Sequence, residues 1–329
     1  VAAAPWRGHA ELKRMRILIL GAGGTGGYFG GRLAQAGVDV TFLVRPARAA
    51  QLQRDGLVIR SPLGDAGFPV QHVTADALPA LAAARPFDLV ILSCKAYDLD
   101  SSIEAIAPAV GTTTTVMPIL NGLRHYADLD ARFGRDAVLG GLCFISAAKA
   151  GDGAVLHLAR PAKLTFGERD GAGLSARVLA LAAACVRAGV DHVASERIGQ
   201  EQWIKYTFLT ALAAATCLLR ADIGTIVATD DGEAIVRALY DECLAVADAA
   251  GGPVPVSARE TALAALTHAG STMKASMLRD LEAGQQVEAA HIVGDMLARA
   301  RAAGQQAPLL QVAYSHLQAY QAGCRALRG

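Results

Sequence analysis

Apolar residues follow two patterns along this chain. Up to about Val193 they gather in short continuous runs: Arg16–Leu20, Val38–Val44, Phe87–Cys94, Thr114–Leu120 and Ala137–Ala148. Runs of this length predict strands buried on both faces. Helical spacing separates them, at residues 28–36, 47–55, 101–110 and 123–132, so the segment reads as alternating strands and helices around a parallel sheet. Weaker signals add a strand at Gly56–Ile59 with Phe68–Val73 as its partner, and a hairpin of Ala154–Leu158 and Lys163–Gly167 around Arg160-Pro161. A helix at Leu174–Ala188 and a strand at Gly189–Ala194 close the segment. From Ser195 onward the spacing is helical: one long helix to about Leu219, then Asp231–Ala250, Ser257–Leu266, Val287–Gly304 and Leu309–Tyr320. The predicted fold class is α/β, a doubly wound parallel sheet over 15–193 followed by an all-α domain over 194–329. Residues 1–14, Ala-rich and without the apolar core of a signal peptide, read as an N-terminal extension.

The first strand ends in Gly21-Ala22-Gly23-Gly24-Thr25-Gly26, which carries G-x-G-x-x-G between a strand and a helix. In that context the motif predicts a Rossmann-like dinucleotide site. Gly21 permits the tight turn, Gly23 lets the backbone approach a pyrophosphate, and Gly26 lets the helix pack on the strand. Gly24 and Thr25 begin the helix whose N-terminus faces the phosphates. The second strand ends in Leu43-Val44-Arg45, with Arg48 behind it, where an NAD site carries Asp or Glu. A guanidinium pairs with a ribose phosphate that a carboxylate would repel, so Arg45 favours NADP over NAD.

Composition narrows the class. The 329 residues are 53% hydrophobic with a net charge of +1, which gives no electrostatic case for nucleic acid or an anionic membrane. No apolar run approaches the roughly 20 residues of a membrane span. The six scattered cysteines lack a C-x-x-C pair and the eight histidines lack ligand spacing. Reduced core cysteines, a cytoplasmic location and no metal are the expectations.

Lys95 follows the Phe87–Cys94 strand and Asn121-Gly122 follows Thr114–Leu120, both at carboxyl ends of strands, where such sheets hold ligands. In the helical domain Lys205 lies among bulky apolar residues, and desolvation would suit it as a general acid. Ser276 and Asp280 share a helix face, and Glu288 follows Gly284.

The glycine turn before Tyr28-Phe29-Gly30, Lys95-Ala96-Tyr97-Asp98, Asn121-Gly122-Leu123, Trp203-Ile204-Lys205, Ser276-Met277-Leu278-Arg279-Asp280 and Glu288 occur in the order found in ketopantoate reductases (2-dehydropantoate 2-reductases). The chain resembles that family from about Met15 to Pro308. The resemblance implies NADPH-dependent reduction of a 2-oxo acid to a 2-hydroxy acid, ketopantoate to pantoate in pantothenate biosynthesis being the first candidate. It implies that Gly21, Gly23 and Gly26 hold the pyrophosphate, that Arg45 meets the ribose phosphate and that Lys95 lies near the adenosine side. Asn121 would adjoin the nicotinamide ribose and substrate, Lys205 would be the acid, and Ser276 would bind the substrate carboxylate. Glu288 would orient Lys205 or hold a substrate hydroxyl. One departure concerns the substrate wall: Leu209 and Ala213 stand where the family usually presents asparagines, so an apolar 2-oxo acid is a second candidate. A related imine reductase and a non-catalytic NADP(H)-binding sensor remain open, and apolar helices in the second domain are compatible with a homodimer.

Overall fold

The computed structural model describes residues 15–326, so the expected extension over 1–14 lies outside the described residues. The chain forms two compact units that interleave in sequence. The first comprises residues up to Cys94, Ser101–Ile119 and Phe133–Glu196; the second comprises Lys95–Asp100, Leu120–Arg132 and Arg197 onward.

The first unit has three layers, two sheets with a helix between them. β1 (Arg16–Leu20) leads into α1 (Gly24–Gln35) and β2 (Asp39–Leu43), followed by α2 (Pro46–Asp55), β3 (Leu57–Arg60), β4 (Ala66–Phe68) and β5 (Gln71–Val73). Next come α3 (Leu78–Ala84), β6 (Leu89–Leu92), α4 (Leu99–Ile106) and β7 (Thr115–Pro118), and then α5 (His125–Phe133), which up to Arg132 belongs to the second unit. β8 (Gly140–Lys149), β9 (Val155–Gly167), α6 (Ala176–Arg187) and β10 (Asp191–Ala194) complete it. The predicted parallel sheet has the order β5-β2-β1-β6-β7. Its strands are almost wholly buried, Ile17, Leu18, Phe42, Val90 and Leu92 being fully enclosed, as their unbroken apolar runs require.

A second, mixed sheet, β10-β9-β3-β4 with β8 paired to β9, takes up the expected strands at Gly56–Ile59, Ala137–Ala148 and Gly189–Ala194, though no separate sheet is expected from them. Two expectations change with it. Phe68–Val73 is not one strand: Pro69, which has no N–H to donate, separates β4, antiparallel to β3, from β5, which joins β2 in the first sheet. Residues 154–167 are not a hairpin either, because β9 runs through them antiparallel to β8. The register jumps from Ile145↔Ala162 to Ala147↔His157, so Leu158–Pro161 bulge out of the ladder. Pro161 sits where no ladder hydrogen bond is needed, and His157 reaches its carbonyl at 3.4 Å.

α1 lies between the two sheets, which explains its glycines. A Cβ at Gly26 or Gly30 would strike the first sheet, at Ser93 Oγ and Phe42. One at Gly27 or Gly31 would strike Val155, Ile59 and Leu57 of the second. One residue apart, these pairs lie about 100° apart around the helix, so both sheets close onto one helix.

The second unit is helical: α7 (Ile198–Leu219), α8 (Ile223–Val227), α9 (Gly232–Ala249), α10 (Val256–Leu266), α11 (Ser276–Glu282), α12 (Val293–Ala302) and α13 (Pro308–Ala326). α7 is its axis, carrying fully buried Ala211, Ala213–Ala215 and Cys217 against Leu239, Tyr240 and Cys243 of α9. Small side chains along α7 let its neighbours approach closely. α12 is shorter than the predicted 287–304 helix. Residues 287–292 form a turn instead, with the Glu288 carbonyl accepting the His291 and Ile292 N–H groups.

Candidate functional site

The glycine turn of the first unit is made by backbone geometry. Gly21 has φ +92°, in the region that favours glycine, and its N–H donates to the Leu43 carbonyl at 2.9 Å. That bond ties the turn to the end of β2, where exposed Arg45 begins α2. Gly23 precedes α1 with extended backbone, and a Cβ there would meet open space. Gly24 is different: its Cβ would lie 2.8 Å from the Ala147 backbone of β8. A Cβ at Gly26 would lie 2.6 Å from the Gly21 carbonyl oxygen and would also run into Ser93. Thr25 lies half-buried in the first turn. Arg48, which the sequence offers only as a neighbour of Arg45, crosses the turn: its guanidinium donates to Ala22 O at 2.9 Å and to Gln51 Oε1 at 2.7 Å. Burial holds its pKa below the usual arginine value.

These features fit a dinucleotide. The α1 N-terminus has no side-chain cap and no acidic residue in its first turn, so its N–H groups and dipole are not committed to a carboxylate of the helix itself.

The second unit assembles a polar cluster from distant segments. Lys205, half-buried on α7, donates to Asn121 Oδ1 at 3.0 Å. Lys95, at the start of a short 3-10 turn, lies 2.7 Å from Asp280 Oδ2 and 3.4 Å from Glu288 Oε2. Glu288, 8% exposed, also accepts the Ala96 N–H at 2.9 Å. Burial pulls the Lys95 pKa down, but the charges of Glu288 and Asp280 outweigh it and leave the pKa above the usual lysine value.

α11 delivers both Ser276 and Asp280. Ser276 is its half-buried first residue. The helix ends in a Schellman motif, with Gln285 N donating to Asp280 O and Gly284 N to Leu281 O, and Gly284 at φ +65°. Asp280 therefore has its main chain fixed while its side chain holds Lys95.

The turn 288–292 links these groups. Glu288 faces Lys95, His291 packs against Gly122, and the Ile292 carbonyl lies 2.9 Å from the hydroxyl of Tyr206, next to Lys205 in the chain. Burial, chiefly, raises the Tyr206 pKa well above the usual value and keeps that hydroxyl protonated.

The arrangement can be set beside the roles expected from the sequence. From the sequence, Glu288 is expected to orient Lys205 or to hold a substrate hydroxyl, and Lys95 to lie near the adenosine side; in the structure Glu288 Oε2 lies 3.4 Å from Lys95 Nζ, and Asn121 Oδ1 accepts from Lys205. Leu209, one turn after Lys205, packs half-buried against the helical core, and Ala213 is fully buried. Asp280 and the histidines at 125 and 291 join the cluster without belonging to the expected site. Asp280 has a signal in its spacing from Ser276; an isolated histidine in an apolar stretch has none.

Among the described residues no group of three or more His, Cys, Asp or Glu is placed to hold a metal ion. No helix among them is long and apolar enough to cross a membrane. Burial pushes the Cys185 and Cys217 thiols up to about 12.

Residues 17–171 match the ketopantoate reductase PanE/ApbA family, and residues 197–321 match the family's C-terminal domain. The uncharacterized oxidoreductase YkpB of Bacillus subtilis is 38% identical over 308 residues, covering 94% of this chain and 99% of that protein. A 2-dehydropantoate 2-reductase of Halobacterium salinarum is 30% identical over 288 residues, covering 87% and 92%. The crystal structure of 2-dehydropantoate 2-reductase from Geobacter metallireducens superposes with a TM-score of 0.83 at 29% identity, over 92% of this chain and 99% of that one. The chain is an oxidoreductase that belongs to the ketopantoate reductase PanE/ApbA family.

Proposed function

We propose that this enzyme reduces a 2-oxo acid to a 2-hydroxy acid with NADPH, and that Lys205 is its general acid. The observation that carries the reading is the Lys205–Asn121 hydrogen bond at 3.0 Å, which fixes the ammonium of a half-buried lysine on the axial helix. Gly21, Gly23, Gly24, Thr25 and Gly26 would hold the pyrophosphate, with Arg45 meeting the ribose phosphate. When bound, the cofactor supplies a hydride to the carbonyl carbon of the substrate.

The remaining work falls to this chain's side chains. Reduction places negative charge on the carbonyl oxygen, and a pre-placed ammonium opposes that charge before it protonates the oxygen. Asn121 keeps the Lys205 Nζ aimed by accepting one of its three protons. Ser276 would take the substrate carboxylate. Glu288 is engaged with Lys95 and the Ala96 N–H, so its role is to position Lys95 and the turn beneath Asn121, and to accept a substrate hydroxyl.

Ketopantoate is the first candidate substrate, on family membership. A second reading, an apolar 2-oxo acid, is favoured by Leu209 and Ala213, since neither offers an amide to a substrate hydroxyl. A wall built to hydrogen-bond a hydroxyl discriminates for it strongly, and an apolar wall does not. Steady-state comparison of ketopantoate with alkyl 2-oxo acids tests the choice: equal or better kcat/KM for the alkyl acids supports the second reading, and clear preference for ketopantoate at ordinary efficiency excludes it. Lys205→Ala tests the acid. Turnover should fall by orders of magnitude while NADPH binding persists, whereas loss of binding would make Lys205 structural.

A further inference from the structure

Two buried histidines lie directly behind Asn121. His125 Nδ1 and His291 Nε2 are 3.2 Å apart, with rings stacked at 16° and centroids 5.4 Å apart. His125 is fully buried and His291 is 7% exposed. The Asn121 backbone also acts on the His291 ring, favouring its protonated form. The ring packs on the next residue so tightly that a Cβ at Gly122, whose φ is +82°, would lie 3.1 Å from its Cδ2. The chain of contacts runs from His125 to His291, to the Asn121–Gly122 turn, and through the Asn121 side chain to Lys205.

We propose that His291, braced by His125, is a positioning residue for the reaction: it holds the Asn121–Gly122 turn so that Asn121 can aim the Lys205 ammonium. This rests on the roles given to Asn121 and Lys205 above. An N···N contact at 3.2 Å needs one donor and one acceptor, so the pair shares a single N–H and carries at most one extra proton. The charged groups that act on His291 are Asp295 of α12, Asp128 of α5 and Arg124 just before it. Burial lowers its pKa; Asp295 and Asp128 oppose that, Arg124 reinforces it, and the shift remains downward. His291 is thus neutral at pH 7. Protonation would turn an accepting nitrogen into a donor and remove the acceptor on which the present contacts depend.

Two variants, compared with the parent enzyme, test this: His291→Gln, which keeps a polar group against the Asn121–Gly122 turn, and His291→Phe, which keeps bulk alone. The parent should lose kcat on the acid side as His291 protonates. His291→Phe should lower kcat about tenfold, a displaced catalytic group being costly, with NADPH affinity unchanged. His291→Gln should recover most of that loss and lack the acid limb of the parent. Unchanged kcat in His291→Phe, or equal losses in both variants, would overturn the proposal. A readout independent of turnover is the Asn121 side-chain amide signal in NMR spectra recorded against pH. It should follow the His291 titration in the parent and stay flat in His291→Gln; an amide that ignores the titration would sink the idea. Failure of the parent to reduce any 2-oxo acid would instead contradict the functional reading, leaving the NMR result to decide this one.

Discussion

The glycine turn and the Lys205 cluster are built in opposite ways. In the first unit the site is backbone: a positive φ at Gly21, an uncapped helix start, and glycines that exclude side chains so that one helix fits between two sheets. In the second unit it is side chains, drawn from segments near residues 95, 121, 205, 280 and 288 and held by charge. A site built from backbone is sensitive to added atoms at its crowded positions, such as Gly24 and Gly26. A side-chain site tolerates some change in shape but fails when a charge goes missing. On the proposed function, cofactor geometry would be entrusted to packing and chemistry to electrostatics, which a single substitution can tune.

The largest expected effect comes from removing the acid. Lys205→Ala should lower kcat by about 10²–10⁴-fold, the usual range for a general acid, with NADPH binding measured by fluorescence unaltered. Retained turnover would erase the contrast between the units. Next is Gly26→Val, whose Cβ meets Ser93 Oγ and the immovable Gly21 carbonyl. Overpacking of this kind costs about 1–3 kcal/mol, read as a lower urea midpoint together with lost NADPH binding.

Charge is the lever in the second unit. Glu288→Gln should lower the urea midpoint at neutral pH by loosening the hold on Lys95. The sign follows from the raised Lys95 pKa: its stabilising contribution is fully present below the ordinary lysine value and fades as pH rises through the folded-state value. Parent and variant midpoints should therefore converge in alkali; a constant gap would mean that Glu288 acts through packing. The smallest effect belongs to Leu209→Asn, which should shift the kcat/KM ratio of ketopantoate to an alkyl 2-oxo acid several-fold toward ketopantoate, roughly the worth of one hydrogen-bonding group.

The same contrast decides what can be read from the sequence. The strand runs and the glycine turn are local patterns, so β1, β2, β6, β7 and the dinucleotide motif are legible at once. Several strands of the second sheet are legible too, but its existence as a separate sheet is not, because Pro69 splits one apparent strand between β4 of this sheet and β5 of the other, and the bulge at Leu158–Pro161 looks like a turn. Lys95 and Glu288 are separated by 193 residues, and no periodicity links them. The site residues are recognisable as a set only through the resemblance, which identifies members without showing who pairs with whom. His291 carries no signal, since its placement depends on a turn beneath Asn121 that replaces the first part of a predicted helix.

The central claim, that this chain reduces 2-oxo acids, is tested most directly by following NADPH oxidation against a panel of 2-oxo acids that includes ketopantoate and its alkyl analogues, with the product identified. Stoichiometric formation of a 2-hydroxy acid from at least one of them is the expected result. NADPH that binds tightly but is oxidised by none would contradict it and leave a nucleotide-binding sensor in its place.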